Sequence, residues 1–198
     1  MNSVALLIGG NQGNRHDLIA QATELIRKRI GLVVALSAVY ETEPWGDFDT
    51  VNEGAKPLNF LNRALLVETP LSAHEVLREA LAIEAALGRE RHGAPASDAT
   101  SSHRLYHSRT MDIDIIFFND EVIDTPDLSV PHPRMHQRRF VLEPLAEIMP
   151  DYRHPLMGKS VKEMIEECEE PPKGVNRTQA GVITPENGEI MINEPRRG

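Results

Sequence analysis

Apolar runs of strand length alternate with two stretches of helical periodicity in the order βαββαβ, further helical segments follow, and no internal repeat breaks the series. Together these observations predict an α+β chain, a ferredoxin-like split-βαβ three-layer sandwich around a mostly antiparallel sheet. At 198 residues the chain has room for one domain and an appendage. The expected division is a domain over residues 1–170 and a C-terminal extension over 171–198, because the composition turns polar and Gly-containing after Pro171-Pro172.

Each element has its own signal. Residues 4–8 are an apolar strand that ends in the loop Gly9-Gly10-Asn11-Gln12-Gly13-Asn14. Leu18, Ile19, Ala22, Leu25, Ile26 and Ile30 then recur at the spacing of one apolar helical stripe, with Asn14 as N-cap and Gly31 as stop. Residues 32–40 read as one buried strand, 43–59 as a long loop and 60–68 as another strand. Ser72-Ala73-His74-Glu75 is a capping box that opens a helix ending at Gly88. Residues 89–108 carry no period and read as a surface loop, 111–118 as a strand and 120–123 as a short edge strand. Pro131-His132-Pro133 marks a rigid turn, 137–148 and 161–170 read as helices, and a hairpin is expected around Pro185-Glu186-Asn187-Gly188.

Composition excludes several classes. Hydrophobic residues at 40% and charged residues at 26% are those of a packed chain rather than a disordered one. No apolar run reaches membrane-spanning length. A net charge of -9 disfavours nucleic acid as a partner. The lone Cys168 forms no intrachain disulfide, so a reduced, cytoplasmic location is the expectation.

The sharpest chemical feature is Asp112-Ile113-Asp114-Ile115. On a strand, residues i and i+2 project from one face, so the two carboxylates stand together while Ile113 and Ile115 face the core. Side-by-side carboxylates suit Mg²⁺, which binds through one or two carboxylates and completes its shell with water and phosphate; an exposed acidic strand face is the other reading. Around the pair lie Arg89, Arg91, Arg104, Arg109, His132, Arg138 and Arg139, a set of cations in an acidic chain that suits an anionic ligand. Thr42, Trp45, Phe60, Asn62 and Phe140 could make a flat slot for a planar heterocycle, with the Asn62 amide reading its edge. A dinucleotide-binding reading of the first Gly-rich loop fails, because Asn11 and Gln12 stand where glycines are required. The pairs His103/His107 and His132/His136 have helical spacing but irregular surroundings, which disfavours a helical zinc site.

Several blocks resemble the 6-hydroxymethyl-7,8-dihydropterin pyrophosphokinase (2-amino-4-hydroxy-6-hydroxymethyldihydropteridine diphosphokinase) family of folate biosynthesis. They are Ile8-Gly9-Gly10-Asn11, Tyr40-Glu41-Thr42-x-Pro44-x-Gly46, Phe60-Leu61-Asn62 and Ile83-Glu84-x-x-Leu87-Gly88-Arg89-x-Arg91. Further on come Arg109-x-x-Asp112-Ile113-Asp114-Ile115, Val130-Pro131-His132-Pro133 and Arg138-x-Phe140-Val141-Leu142-x-Pro144-Leu145. Together they span about residues 4–158. The resemblance implies transfer of the ATP β,γ-diphosphate as a unit to the pterin hydroxymethyl oxygen, releasing AMP, with two Mg²⁺ ions on Asp112 and Asp114. It implies catalytic roles for Arg89, Arg109, Asp112 and Asp114. ATP would be met by Glu84, Arg89, Arg91, Arg109, Ile115, His132 and Arg138, and the pterin by Thr42, Trp45, Phe60, Asn62 and Phe140, with the two Phe rings sandwiching it. The implied partners are these small molecules alone, without nucleic acid or membrane, and the expected state is a monomer with a dimer as alternative.

The chain departs from the family pattern at Gly10, Glu43, His107 and Ser108, and its loops at 47–59 and 92–108 look long. Tyr106 could replace a family aromatic. Two rival readings make different predictions. A non-catalytic split-βαβ module would bind a small anion indifferently to Mg²⁺ and release no AMP, and a dinucleotide oxidoreductase would need the missing glycines.

Overall fold

The computed structural model describes residues 1–43, 58–88, 110–169 and 175–179. In chain order these form β1 (Asn2–Gly10), α1 (Arg15–Arg29), β2 (Leu32–Leu36), β3 (Val39–Thr42), β4 (Phe60–Thr69), α2 (Ala73–Ala86) and β5 (Asp112–Phe118). After them come β6 (Ile123–Asp124), β7 (Ser129–Val130), a 3-10 turn at Met135–Gln137, α3 (Arg139–Ile148), α4 (Val161–Glu167) and β8 (Val175–Gln179). The main sheet runs β5-β1-β4-β3-β8, with β2 also on β4, and its strand pairs are antiparallel. This is the α+β three-layer arrangement expected from the element order.

Alternation along β1 builds both cores at once. Val4, Leu6 and Ile8 pack with Ile19, Ala22 and Ile26 of α1 and with Val76, Ala80 and Ile83 of α2. Ala5 and Leu7 point the other way and pack with Val141, Leu142 and Leu145 of α3 and with Val161 and Met164 of α4. A strand buried on both faces needs apolar residues at every position, which is why residues 4–8 carry no polar residue. Each fully buried aliphatic side chain contributes about 1.5–3 kcal/mol.

The expected single strand at 32–40 is two strands. Ser37 breaks it: its amide donates to the Ala64 carbonyl at 3.0 Å, its hydroxyl accepts from the Ala64 amide at 2.9 Å, and Arg63 Nε donates to its carbonyl at 2.9 Å. The hydroxyl thus replaces a ladder carbonyl, and the chain can turn onto a new line before β3. The expected strand at 120–123 is also corrected, since the chain turns after Asn119, which has a positive φ of 46°, and pairing begins only at Ile123, in a separate ladder with β7. The helix expected at 137–148 starts at Arg139 because Arg138 is extended, and the one expected at 161–170 ends at Glu167. A second capping box, Ser160 with Glu163, starts α4.

The start and stop signals expected to bound α1 act by other means than a cap bond and a helix breaker. Asn14 stands at the N-cap of α1 without a side-chain cap bond, because its amide donates to the Asp17 carboxylate instead. Gly31 ends the helix by close approach: a Cβ there would lie 2.1 Å from the Glu68 carbonyl oxygen of β4. The hairpin expected after residue 180 lies outside the described residues. The part of the extension that is described, β8, pairs with β3 and extends the sheet edge.

Candidate active site

Register decides what stands beside what. Asp112 pairs with Gly9, Gly9 with Asn62, Asn62 with Tyr40 and Tyr40 with Arg177, one transverse row across five strands. Directly paired residues share a sheet face and neighbouring strands lie about 4.8 Å apart. Asp114, paired with Leu7, and Phe60, paired with Thr42, therefore share that face, which is the one covered by α3. The carboxylate pair and the amide and aromatic groups thus occupy one face at one end of the sheet.

Gly9 is the gap in the row. A Cβ there would sit 2.5 Å from Asn62 Oδ1 and 3.0 Å from the Leu61 carbonyl oxygen, so the absent side chain is what lets the Asn62 amide lie across β1. Asn62 Nδ2 donates to Thr42 Oγ1 at 2.8 Å, and both residues are buried. That bond orients the amide, which a free rotor would not. Arg15 holds the framework from α1: Nη1 donates to Glu41 Oε1 at 2.9 Å and to the Asn59 carbonyl at 2.7 Å. It ties the end of β3 to the start of β4, a role that nothing in its sequence surroundings signalled.

Behind β5, on the α1 and α2 side, Glu84 is 2% exposed and its Oε1 accepts from the Ile113 amide at 2.8 Å. Ile113 and Ile115 are buried on that same side. Glu84 and Ile115 thus lie on the opposite face of β5 from Asp112 and Asp114, and Glu84 anchors the strand that carries the acids.

His132 joins the two parts of the site. Its amide donates to the Ile116 carbonyl at 3.0 Å, which places the Pro131-His132-Pro133 turn beside β5. Burial, followed by the nearby Arg138 cation, lowers its pKa to about 4, against a smaller raising effect of Asp112. His132 is therefore a neutral imidazole near pH 7, a correction to its place in the expected set of cations. Its Nδ1 accepts from the Arg134 amide at 3.3 Å, which leaves the ring proton on Nε2. Arg138 Cζ in turn lies 5.6 Å from the Phe140 ring centroid, a cation–π contact. Arg139 points away, with Nη1 on Glu143 Oε1 at 2.8 Å.

Trp45, Arg89, Arg91, Arg104 and Arg109 lie outside the described residues, as do His103, Tyr106 and His107. In the chain, two of the segments outside the described residues fall between β3 and β4 and between α2 and β5. Among the described residues, no group of three or more His, Cys, Asp and Glu is placed to hold a metal by itself. The donor set of Asp112 and Asp114 is two hard oxygen ligands on one face, which fits an ion that takes the rest of its shell from phosphate and water.

Asp112, Asp114, Asn62 and Phe60 share one sheet face, and Arg138 lies by the Phe140 ring; a donor set of this kind suits an enzyme of phosphoryl transfer. Residues 5–150 match the family described as 7,8-dihydro-6-hydroxymethylpterin-pyrophosphokinase, and the chain belongs to that family. It is 37% identical over 156 residues to a 2-amino-4-hydroxy-6-hydroxymethyldihydropteridine pyrophosphokinase of Porphyromonas gingivalis, covering 78% of this chain and 95% of that protein. The identically named protein of Methylorubrum extorquens is 35% identical over 180 residues, 90% of this chain and 100% of its own length. That of Bacillus subtilis is 39% identical over 150 residues, 75% and 79% of the two chains. In fold, the chain resembles the crystal structure of wild-type Plasmodium falciparum HPPK-DHPS with a TM-score of 0.60 at 17% identity, covering 84% of this chain and 44% of that one. The same protein with pteroate gives a TM-score of 0.63 at 16% identity, again with 84% and 44% covered. This chain thus spans under half of those crystallised chains.

Proposed function

We propose that ATP is the donor, that the hydroxymethyl oxygen of 6-hydroxymethyl-7,8-dihydropterin attacks the β-phosphorus, and that AMP leaves with the oxygen that bridged the α- and β-phosphorus atoms. Family membership makes the chain a transferase of folate biosynthesis that moves a pyrophosphoryl group to hydroxymethyldihydropterin. The observation that supports the finer reading is the row Asp112, Gly9, Asn62, which sets a carboxylate one strand spacing from the gap and two from the orienting amide.

Asp112 and Asp114 would hold two Mg²⁺ ions, which when bound neutralise phosphate charge and align attacking and leaving oxygens. Asn62, steered by Thr42, presents amide donor and acceptor to the edge of the pterin. Phe60 and Phe140 offer rings to its faces, and Trp45 belongs to the same set. Arg89, Arg91, Arg109 and Arg138 supply charge-assisted hydrogen bonds to the triphosphate, and His132 adds a neutral Nε2–H donor. Glu84 and Ile115, expected at ATP, lie on the α1 and α2 side of β5, where Glu84 fixes the strand through the Ile113 amide. No covalent nucleophile is needed, since transfer at phosphorus asks mainly for alignment and charge neutralisation. Among the described residues no helix is long and apolar enough to cross a membrane. A monomer in a reduced cytoplasm, acting on small molecules only, is the working picture.

The test is AMP release with ATP, Mg²⁺ and 6-hydroxymethyl-7,8-dihydropterin, with and without EDTA. Pterin-dependent, EDTA-sensitive AMP is the expected result. Release of ADP would refute diphosphoryl transfer as a unit, and binding without turnover, indifferent to Mg²⁺, would make the chain an anion-binding module.

A further inference from the structure

We infer that Glu147 and the C-terminal strand β8 are a positioning device for the pterin side of the site: Arg177 of β8 holds the Glu147 carboxylate, and that carboxylate locks α3 to β3. The inference rests on the proposed pterin site. Its basis is a hub that joins three elements. Glu147 Oε2 accepts from the Ala38 amide at 2.7 Å, in the break between β2 and β3. Its Oε1 accepts from Arg177 Nε at 2.6 Å. Tyr40, buried in β3, also hydrogen-bonds to Glu147 through its hydroxyl, and burial together with this carboxylate raises the Tyr40 pKa.

Geometry carries the hub to the site. Phe140 and Glu147 are seven residues apart on α3, two turns along one helical face. Tyr40 and Thr42 are two residues apart on β3 and share a sheet face. One end of the hub therefore lies on the element that carries Phe140, and the other on the strand that carries Thr42, which orients Asn62. The Glu147 side chain is 18% exposed, so a carboxylate there needs a counter-charge, and Arg177 provides it. Arg177 belongs to the extension, beyond residue 150 where the family match ends. The extension thus supplies a support for the pterin slot that the matched region lacks.

Steady-state kinetics on the full-length chain test this, with R177A, R177K and E147Q compared with wild type, each substrate varied in turn. R177A is expected to raise KM for the pterin about two- to fivefold, the range a partly exposed ion pair can supply, while KM for ATP stays within error. E147Q is expected to match or exceed that change, R177K to restore most of the loss, and amide exchange at Ala38 and Tyr40 to quicken in R177A. The inference is overturned if R177A leaves both the pterin KM and these amides unchanged, or if both substrate KM values rise together. Wild-type protein that turns over no pterin would refute the site reading itself and the inference with it.

Discussion

Replacing Asp114 by alanine removes one of the two carboxylates without touching the core under α1 and α2, because the side chain projects away from the face on which Ile113 and Ile115 are buried. Turnover should fall by about 10³-fold or more, since metal charge stabilisation is worth several kcal/mol, while the melting temperature changes little. Unchanged turnover in a Mg²⁺-dependent assay would remove the two-metal assignment. Gly9 answers to a different constraint. Gly9→Ala places a methyl 2.5 Å from Asn62 Oδ1, so the amide must move or the strands must part. Overpacking of this kind costs about 1–3 kcal/mol. The expected signature is a rise in KM for the pterin larger than that for ATP, measured beside a denaturant melt. Equal KM values for wild type and variant would show that the amide does not read the substrate.

Among the elements, β5 is anchored by an acid of α2, on the face opposite Asp112 and Asp114. Glu84→Ala leaves the buried Ile113 amide without its acceptor, at a cost of about 1–3 kcal/mol. Glu84→Gln keeps an acceptor oxygen and should recover much of that stability. Chemical denaturation of the two variants separates the cases: equal losses would mean that the negative charge, rather than the acceptor, holds the strand. The Ile83-Glu84 block was visible in the sequence as a family motif, whereas its hydrogen bond to the Ile113 amide at the start of β5 was not. The break at Ser37 was equally hidden, because residues 32–40 are apolar enough to make one strand and only the Ala64 amide, in another strand, shows where the serine hydroxyl goes.

For the molecule as a whole, pH provides a global test. The His132 pKa in the folded chain is about 4, below the ordinary 6.5, so between those values the unfolded chain binds a proton that the folded chain does not. Stability therefore falls as pH drops from about 6.5 towards 4. The carboxylates of Glu75, Glu163 and Asp127 are also lowered, by hydrogen bonds from Ser72, Ser160 and Thr125 first, and their contribution is lost only below the ordinary carboxylate range. Thermal melts at pH 7, 6 and 5 should show a declining transition for wild type and a shallower decline for His132→Gln. Parallel curves would mean that His132 titrates normally.

Much of this protein was legible in one dimension because the relevant forces act over short spans. Apolar period, the Ser72–Glu75 box and the two-residue alternation of Asp112 and Asp114 are written in neighbouring residues, and they determined β1, β4, β5, the first two helices and the carboxylate pair. The family blocks extended that reading to the reaction. Only tertiary structure decided that Gly9 opens a space for Asn62, that His132 is neutral and that Glu147 gathers Ala38, Tyr40 and Arg177. Each of those depends on register between distant strands or on burial, and the Ala38–Glu147 bond closes a separation of 109 residues. Local sequence sets which face a side chain takes; the chain's return path sets what it meets there.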